Sequence, residues 1–296
     1  MDKMTQEGGP VESSQQIEVT LLGTGTPRPL LNRFGPGTLI RAGNQVFVFD
    51  AGRGIMQRLF QLGVSYARVD AVFLTHLHSD HIVGLPDLWL SGWLEGRRET
   101  PIKIFGPEGT GSMMTHLQKA FSYDIKIRIE DDQLSPAGAK VEVTETGEGI
   151  IYNLEGVRVR AFEVDHRPIT PAFGYRIDYA GHSVLLSGDT RFSKNLIKFA
   201  SGVDLLVHEV GDARDSLLRK HAPLARAIAH HTNAVEAGEI FRQAMPKLAV
   251  YTHIISAGFE VTELIARTRS CYHGPLLVGE DLMRFLIGKD ITIYRP

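Results

Sequence analysis

Short apolar runs rich in β-branched residues punctuate the chain at 17–22, 45–50, 71–75, 102–105, 157–164, 173–179, 183–187, 205–208 and 248–252. Each has strand length and is bounded by Gly, Pro, Asp or Asn, so period and punctuation both predict β-strands. Between them, apolar positions recur at helical spacing over 82–94, 109–121, 233–244 and 260–270. Val72, Phe73 and Leu74 are apolar in succession, as a strand buried on both faces requires. The first half and the stretch 140–187 read as hairpin-rich with few helices, and strands and helices interleave elsewhere. This mixture predicts two sheets packed face to face with helices outside, an α+β fold of four layers, αββα. No compositional shift marks a linker, so 17–296 reads as a single domain. The start, MDKMTQEGGPVESSQQ (1–16), reads as a polar, disordered tail.

Composition narrows the classes. The chain has 296 residues, 43% of them hydrophobic, enough for a large core. No uninterrupted apolar stretch of about eighteen residues occurs, so no membrane span is expected. The start lacks an apolar segment of signal-peptide length, and Cys271 is the single cysteine; both fit a reducing cytoplasm. Lys plus Arg (32) and Asp plus Glu (34) nearly balance, so no global positive field recruits nucleic acid. The local run Arg214, Arg219, Lys220 and Arg226 reads as a solvated helical face.

Chemistry concentrates in LTHLHSDHIVGL (74–85), which crowds His76, His78, Asp80 and His81 together after a predicted strand. A loop between strand and helix is free of strand alternation and lets such side chains converge. Neutral imidazoles suit zinc, and a carboxylate adds charge neutralisation. A polar helix start capped by Ser79 or Asp80 accounts for one such histidine, but not for three with an aspartate. With one cysteine in the chain, a metal here rests on nitrogen and oxygen ligands.

The spacing His76-x-His78-x-Asp80-His81 resembles the signature of the metallo-β-lactamase-fold hydrolases, and the resemblance covers nearly the whole chain. It implies an αββα sandwich with a one- or two-metal site at one edge of the sheets. Further ligands are implied after later strands: His166 in EVDHRPITPAFGYRI, Asp189 in VLLSGDT and His253 in LAVYTHI. By resemblance, His76, His78 and His166 hold one metal, Asp80, His81 and His253 hold the other, and Asp189 bridges both. Two zinc ions are implied, although His/Asp ligation also accepts manganese, iron or cobalt. Asp50, closing VFVFD, reads either as a carboxylate that orients a ligand imidazole or as a turn residue before Gly52. His116, His182, His221 and His273 read as structural or solvent-facing.

LLGTGTPRP follows the first strand, but a dinucleotide-binding loop needs a third glycine and a following helix, which Pro27 and Pro29 deny. That segment instead resembles the ribonuclease Z-like branch of the family. So do GYRI (174–177), SGDT (187–190), VHE (207–209) and HHTNAVEAG (230–238). In that branch a histidine followed by a hydroxyl residue, here His231 and Thr232, begins a helix beside the metals. A His-Glu pair, here His208 and Glu209, orients it. Capped by Thr232 or Asn233, with Glu236 reaching back, His231 could protonate a leaving oxygen or stabilise an oxyanion. The implied catalytic set is Asp80, His208, Glu209 and His231.

Bacterial members carry a long arm that grips tRNA between the GYRI and SGDT strands. Here only DYAGH intervenes, a short hairpin. A bridging Asp189 points away from dedicated β-lactamases, and an intact His78 argues against di-iron redox chemistry. The expectation is a dinuclear zinc hydrolase that cleaves a phosphodiester or related small ester by a metal-bridging hydroxide. A tRNA 3′-end endonuclease and a lactone or β-lactam hydrolase are the alternatives; a non-catalytic metal-binding scaffold for RNA or protein comes last. A small anionic ester is favoured over nucleic acid as partner, and a homodimer is common in the branch. Trp89 and Trp93, four apart, read as core rather than as a substrate wall.

Overall fold

The computed structural model describes residues 15–296, so the predicted tail lies outside the described residues save for Gln16 and Ser14's successor Gln15. Among the described residues the strands form two sheets, of eight and seven strands. The first sheet takes β1 (Ile17–Gly23), β2 (Gly37–Ala42), β3 (Gln45–Phe49), β4 (Ala71–Phe73), β5 (Ile102–Gly106) and β6 (Val141–Glu145) side by side. The second takes β7 (Gly149–Leu154), β8 (Val157–Glu163), β9 (Phe173–Tyr179), β10 (His182–Leu186), β11 (Leu205–Ala213), β12 (Leu248–Ala257) and β13 (Leu276–Val278). The chain then returns to the first sheet, where β14 (Arg284–Ile287) pairs with β1 and β15 (Ile291–Tyr294) forms the edge. Strands β3 to β6 run parallel, as do β10 to β13.

Period-2 alternation builds the layers. Ile17, Val19 and Leu21 of β1, Phe47 and Phe49 of β3 and Phe73 of β4 meet Val159, Tyr175, Ile177, Leu205 and Val207 from the other sheet in one buried core. The intervening residues Leu22, Val46, Val48, Val72 and Leu74 face outward onto α1 (Ile55–Gln61), α2 (Ser79–Ile82), α3 (Leu85–Leu94), α4 (Thr110–Ala120) and α5 (Ser122–Glu130). On the far side Leu185, Leu206 and Val210 face α6 (Lys194–Ala200), α9 (Ala234–Ala244) and α10 (Val261–Thr268); between β11 and α9 lie α7 (Asp215–Lys220) and α8 (Ala222–Ile228). These are the four layers expected, αββα.

Each predicted strand forms, but two readings change. The helix expected over 82–94 is α2 and α3 parted at Gly84, and Asp80 and His81 sit inside the first of them rather than in a loop. The first half also holds five helices among the described residues, against the few expected. In α5, Ile125, Ile127 and Ile129 stand at every second position and hide the helical period; Arg128 pairs with Asp124 and Asp132 at four-residue spacing instead. Trp89 and Trp93 are buried, and their indole N–H groups donate to Ala139 O and Ser135 O, so both are core.

Candidate active site

The parallel strands of the two sheets deliver their C-terminal ends to one edge. Asp50 follows β3, Thr75 and His76 follow β4, His166 follows β8, and Asp189 follows β10. Before Asp189, Gly188 has φ 59°; a Cβ there would lie 2.6 Å from Phe173 O, so the turn needs glycine. His253 arrives differently. β12 continues to Ala257, and its pairing with β11 skips from Glu209↔Thr252 to Val210↔Ile254. His253 is the extra residue of a β-bulge, with φ 43°. Tyr251 faces the helices, so unbroken alternation would send His253 there too; the bulge turns it into the site.

Two side-chain clusters share one carboxylate. His76 Nε2 lies 3.0 Å and His166 Nε2 3.1 Å from His78 Nδ1. Asp189 Oδ2 stands 3.9 Å from both of those Nε2 atoms. On its other side Asp189 Oδ2 is 3.4 Å from His81 Nε2 and from His253 Nε2, while Asp80 Oδ2 is 3.2 Å from His253 Nε2 and 3.7 Å from His81 Nε2. Every one of these groups but His78 is buried. The structure thus brings all seven expected ligands together, with Asp189 between the two sets.

The donor set fits metal ions. Thr75 Oγ1 donates to Asp50, so at 3.0 Å it accepts from His76 Nδ1 and leaves His76 Nε2 as a lone pair. His166 Nδ1 donates to His230 O at 3.0 Å, which leaves its Nε2 as a lone pair too. Both lone pairs aim at His78 Nδ1, whose single proton serves one of them well; a cation serves all three nitrogens. Tetrahedral ligands about 2.0–2.1 Å from a zinc ion would stand roughly 3.3 Å apart, close to this spacing. His81 Nδ1 donates to Asp50 Oδ2 at 2.7 Å, and His81 Nε2 is buried without a hydrogen-bond partner. Asp50 therefore takes the orienting place and not merely a turn, at φ 57°.

Burial holds His76 well below the ordinary imidazole range and pushes His166 down to about 4, which keeps their lone pairs free. Burial works to raise the Asp189 carboxyl, but the His253 and His81 imidazoles outweigh it and hold Asp189 well down.

His231 stands at the rim. Its Nδ1 is 3.1 Å from Glu209 Oε1 and 4.0 Å from Asp189 Oδ2. Burial works to lower its pKa, yet the Glu209 carboxylate raises it to about 9 in the metal-free chain; bound cations would oppose that rise. The same Glu209 oxygen accepts from Thr190 N and Thr232 N, each at 3.1 Å. Asn233 caps α9, and Glu236 completes the capping box, as the sequence suggested. Gly211 lets His231 approach β11: a Cβ there would meet His231 Cβ at 2.5 Å. His208 is not in this assembly. It alternates to the outer face of β11, where its ring meets Phe241 edge-on at 5.6 Å, so of the His-Glu pair only Glu209 reaches His231.

Three contributors went unread in the sequence: Thr75, the link between Asp50 and His76; Thr190, a donor to Glu209; and the carbonyl of His230. Backbone groups and single hydroxyls carry no compositional signal. His116, His182, His221 and His273 join no metal-capable group among the described residues.

A profile of the beta-lactamase superfamily domain matches residues 45–254. Ribonuclease Z of Mycolicibacterium gilvum (strain PYR-GCK) is 41% identical over 277 residues, covering 90% of this chain and 95% of that protein. The metallo-beta-lactamase fold protein YhfI from Bacillus subtilis superposes with a TM-score of 0.71 at 20% identity, covering 92% of this chain and 100% of that one. The short form of human tRNase Z superposes with a TM-score of 0.69 at 23% identity, covering 92% and 99%. The chain belongs to the metallo-β-lactamase superfamily, in its ribonuclease Z-like branch.

Proposed function

We propose that the chain is a dinuclear metal-dependent phosphodiesterase whose substrate is RNA. The observation that carries the phosphodiesterase reading is Asp189 Oδ2 standing between two imidazole-bearing clusters, with the His231–Glu209 dyad beside it. His76, His78 and His166 would hold one zinc ion, Asp80, His81 and His253 the other, and Asp189 both; manganese or iron suits the same atoms. Such a pair supplies Lewis-acid polarisation of the ester and water acidified towards neutrality.

The protein's own groups do the rest. Glu209 fixes the His231 ring through Nδ1, which leaves Nε2 free to give a proton to the departing ester oxygen. Thr190 N and Thr232 N hold Glu209 in turn, so the dyad is set before substrate arrives. Asp80 beside His253 supplies charge to the second cluster.

RNA is favoured over a small ester although the arm is missing. The hairpin joining β9 to β10 turns at Ala180 and Gly181, as expected. Yet the matched ribonuclease Z aligns over 95% of its own length with this chain, so a protein of similar size bears that name and a missing arm does not argue against RNA. The single cysteine and an RNA substrate both fit a cytoplasmic setting.

The test is a pair of substrates offered to metal-loaded protein: a stem RNA with a 3′ trailer, and bis(p-nitrophenyl) phosphate. Cleavage of the RNA at one position, stopped by a chelator, is expected alongside slower diester hydrolysis. Diester hydrolysis with intact RNA would return the assignment to a small-ester enzyme. Activity on both that survives complete metal removal would overturn the metallohydrolase reading.

A further inference from the structure

Resting on the RNA reading above, we propose that the α7–α8 hairpin is the surface that grips the phosphate backbone of the substrate. The hairpin leaves β11 just after the strand segment carrying Glu209 and ends at His231, so both its ends are tied to the dyad. At its root Arg214 N donates to Ala257 O at 3.0 Å, and the Arg214 guanidinium pairs with Glu263 and lies 4.8 Å over the Phe259 ring. At its other end His231 N donates to Ile228 O, Arg191 Nε donates to Ala229 O at 2.6 Å, and the His230 carbonyl holds His166. Hydrogen bonds thus pin the mount at both ends.

Its outer face is unclaimed by the fold. Neither helix has a buried residue; Leu217, Leu218, Leu224 and Ile228 are half-buried and seat it. Arg219, Lys220 and Arg226 are exposed, and among the described residues none of the three forms an ion pair. Asp215 is the only acidic residue from 214 to 230. Exposed Ala222 between the cations, and exposed Ala227 and Ala229 after Arg226, leave room for a bulky partner. In a chain with 32 basic against 34 acidic side chains, this concentration is local and not compositional.

Unpaired cations beside a phosphodiester-cleaving centre suit a polyanion. Each phosphate they neutralise releases condensed counterions, and binding away from the scissile bond positions it. Arg226 lies five residues before His231, a reach of at most about 17 Å, or roughly five base steps of a stem. An arm inserted elsewhere is not needed for that contact.

The experiment compares wild type with the triple variant Arg219→Gln, Lys220→Gln, Arg226→Gln. A second triple, Lys103→Gln, Lys119→Gln, Lys126→Gln, removes the same charge from exposed sites on β5, α4 and α5. The probe is a fluorescein-labelled stem–loop RNA without a trailer, titrated with metal-loaded protein between 50 and 200 mM salt. The hairpin triple is expected to bind at least about ten-fold more weakly at 0.1 M and to flatten the log–log salt slope by roughly 2. The control triple should stay within about three-fold, and both should melt like wild type. If the hairpin triple melts early, Arg226→Gln alone should flatten the slope by about 0.7–0.9. Unchanged binding by the hairpin variants, or equal losses in both triples, overturns the hairpin while the RNA reading stands. Wild type that binds no RNA overturns both.

Discussion

Asp50 is the sharpest place to perturb the site without touching a ligand. Its Oδ1 accepts from Thr75 N at 2.8 Å, and its Oδ2 accepts from Thr75 Oγ1 at 2.8 Å and His81 Nδ1 at 2.7 Å. Asp50→Asn keeps the shape and the tolerance of φ 57°, but places an NH2 group either opposite Thr75 N or opposite His81 Nδ1 and Thr75 Oγ1, whose hydroxyl can turn to Oδ1 at 3.1 Å. If the amide nitrogen faces His81, the imidazole must accept at Nδ1 and carry its proton on Nε2, the atom aimed at Asp189. If the amide is turned over, the buried Thr75 N–H loses its acceptor, at about 1–3 kcal/mol. The first orientation is the cheaper, so the variant folds with His81 in the tautomer that cannot bind a metal.

Changes of this kind cost about 10–100-fold in metal affinity, or roughly 1.4–2.7 kcal/mol. The loss should fall on the cluster of Asp80, His81 and His253, because His76 keeps its own bond to Thr75 Oγ1. A zinc titration against a competing chelator resolves the two affinities. One should drop by that factor, the other should stay within about three-fold, and turnover should fall with the first. Two unchanged affinities in a folded Asp50→Asn protein would refute the tautomer reasoning. Equal loss at both would mean that Asp50 acts on the whole loop. Asp50→Ala should be harsher, since Thr75 N–H and His81 Nδ1–H both lose a buried acceptor; about 2–6 kcal/mol lowers melting by on the order of 5–15 °C.

Asp189→Ala should lower metal content and turnover together, because its Oδ2 lies within 4.0 Å of imidazole nitrogens from both clusters; a variant near wild type in both would remove it from the centre. Glu209→Gln should keep its metals yet lose activity as His231→Ala does, and both losses should be larger for a poorly activated leaving group than for nitrophenolate. Equal loss across leaving groups would assign His231 to charge stabilisation instead. Gly211→Ala should displace the His231 ring, since the new Cβ meets His231 Cβ at 2.5 Å; a shift near 1 Å costs on the order of 100-fold in turnover, with metal content and melting as the controls.

The strands and the ligand types were legible because each has a local signature. A β-branched run with a breaker after it marks a strand, and a ligand directly beyond the breaker marks a strand end at the site edge. His166 after Asp165 and Asp189 after Gly188 follow that pattern, while His76, His78, Asp80 and His81 were legible as a dense cluster just past β4. The helices α1, α5, α6, α7 and α8, none longer than nine residues, did not stand out. Short helices take their stability from the sheet they cover, and a turn or two gives too few positions for a 3.6-residue period to emerge.

Where orientation matters, alternation decides what a motif alone leaves open. His208 and Glu209 adjoin in a strand whose Leu205 and Val207 face the inter-sheet core, so Glu209 shares their face and His208 cannot. Alternation along the strand alone thus leaves Glu209, and not His208, within reach of His231. His253 obeys the opposite logic: alternation from Val250 would turn it towards the helices, and only the bulge against Glu209 and Val210 returns it. A bulge is a property of two strands in register, and no single run of residues announces it. The same register shift lies beside Glu209, so one irregularity in the β11–β12 ladder aims His253 at the candidate metal ligands next to the residue that holds His231. The candidate metal ligands and the His231–Glu209 pair proposed to donate a proton are therefore joined through one backbone defect, and the extended ladder beyond it, β11 to Ala213 and β12 to Ala257, carries the chain on to the α7–α8 hairpin.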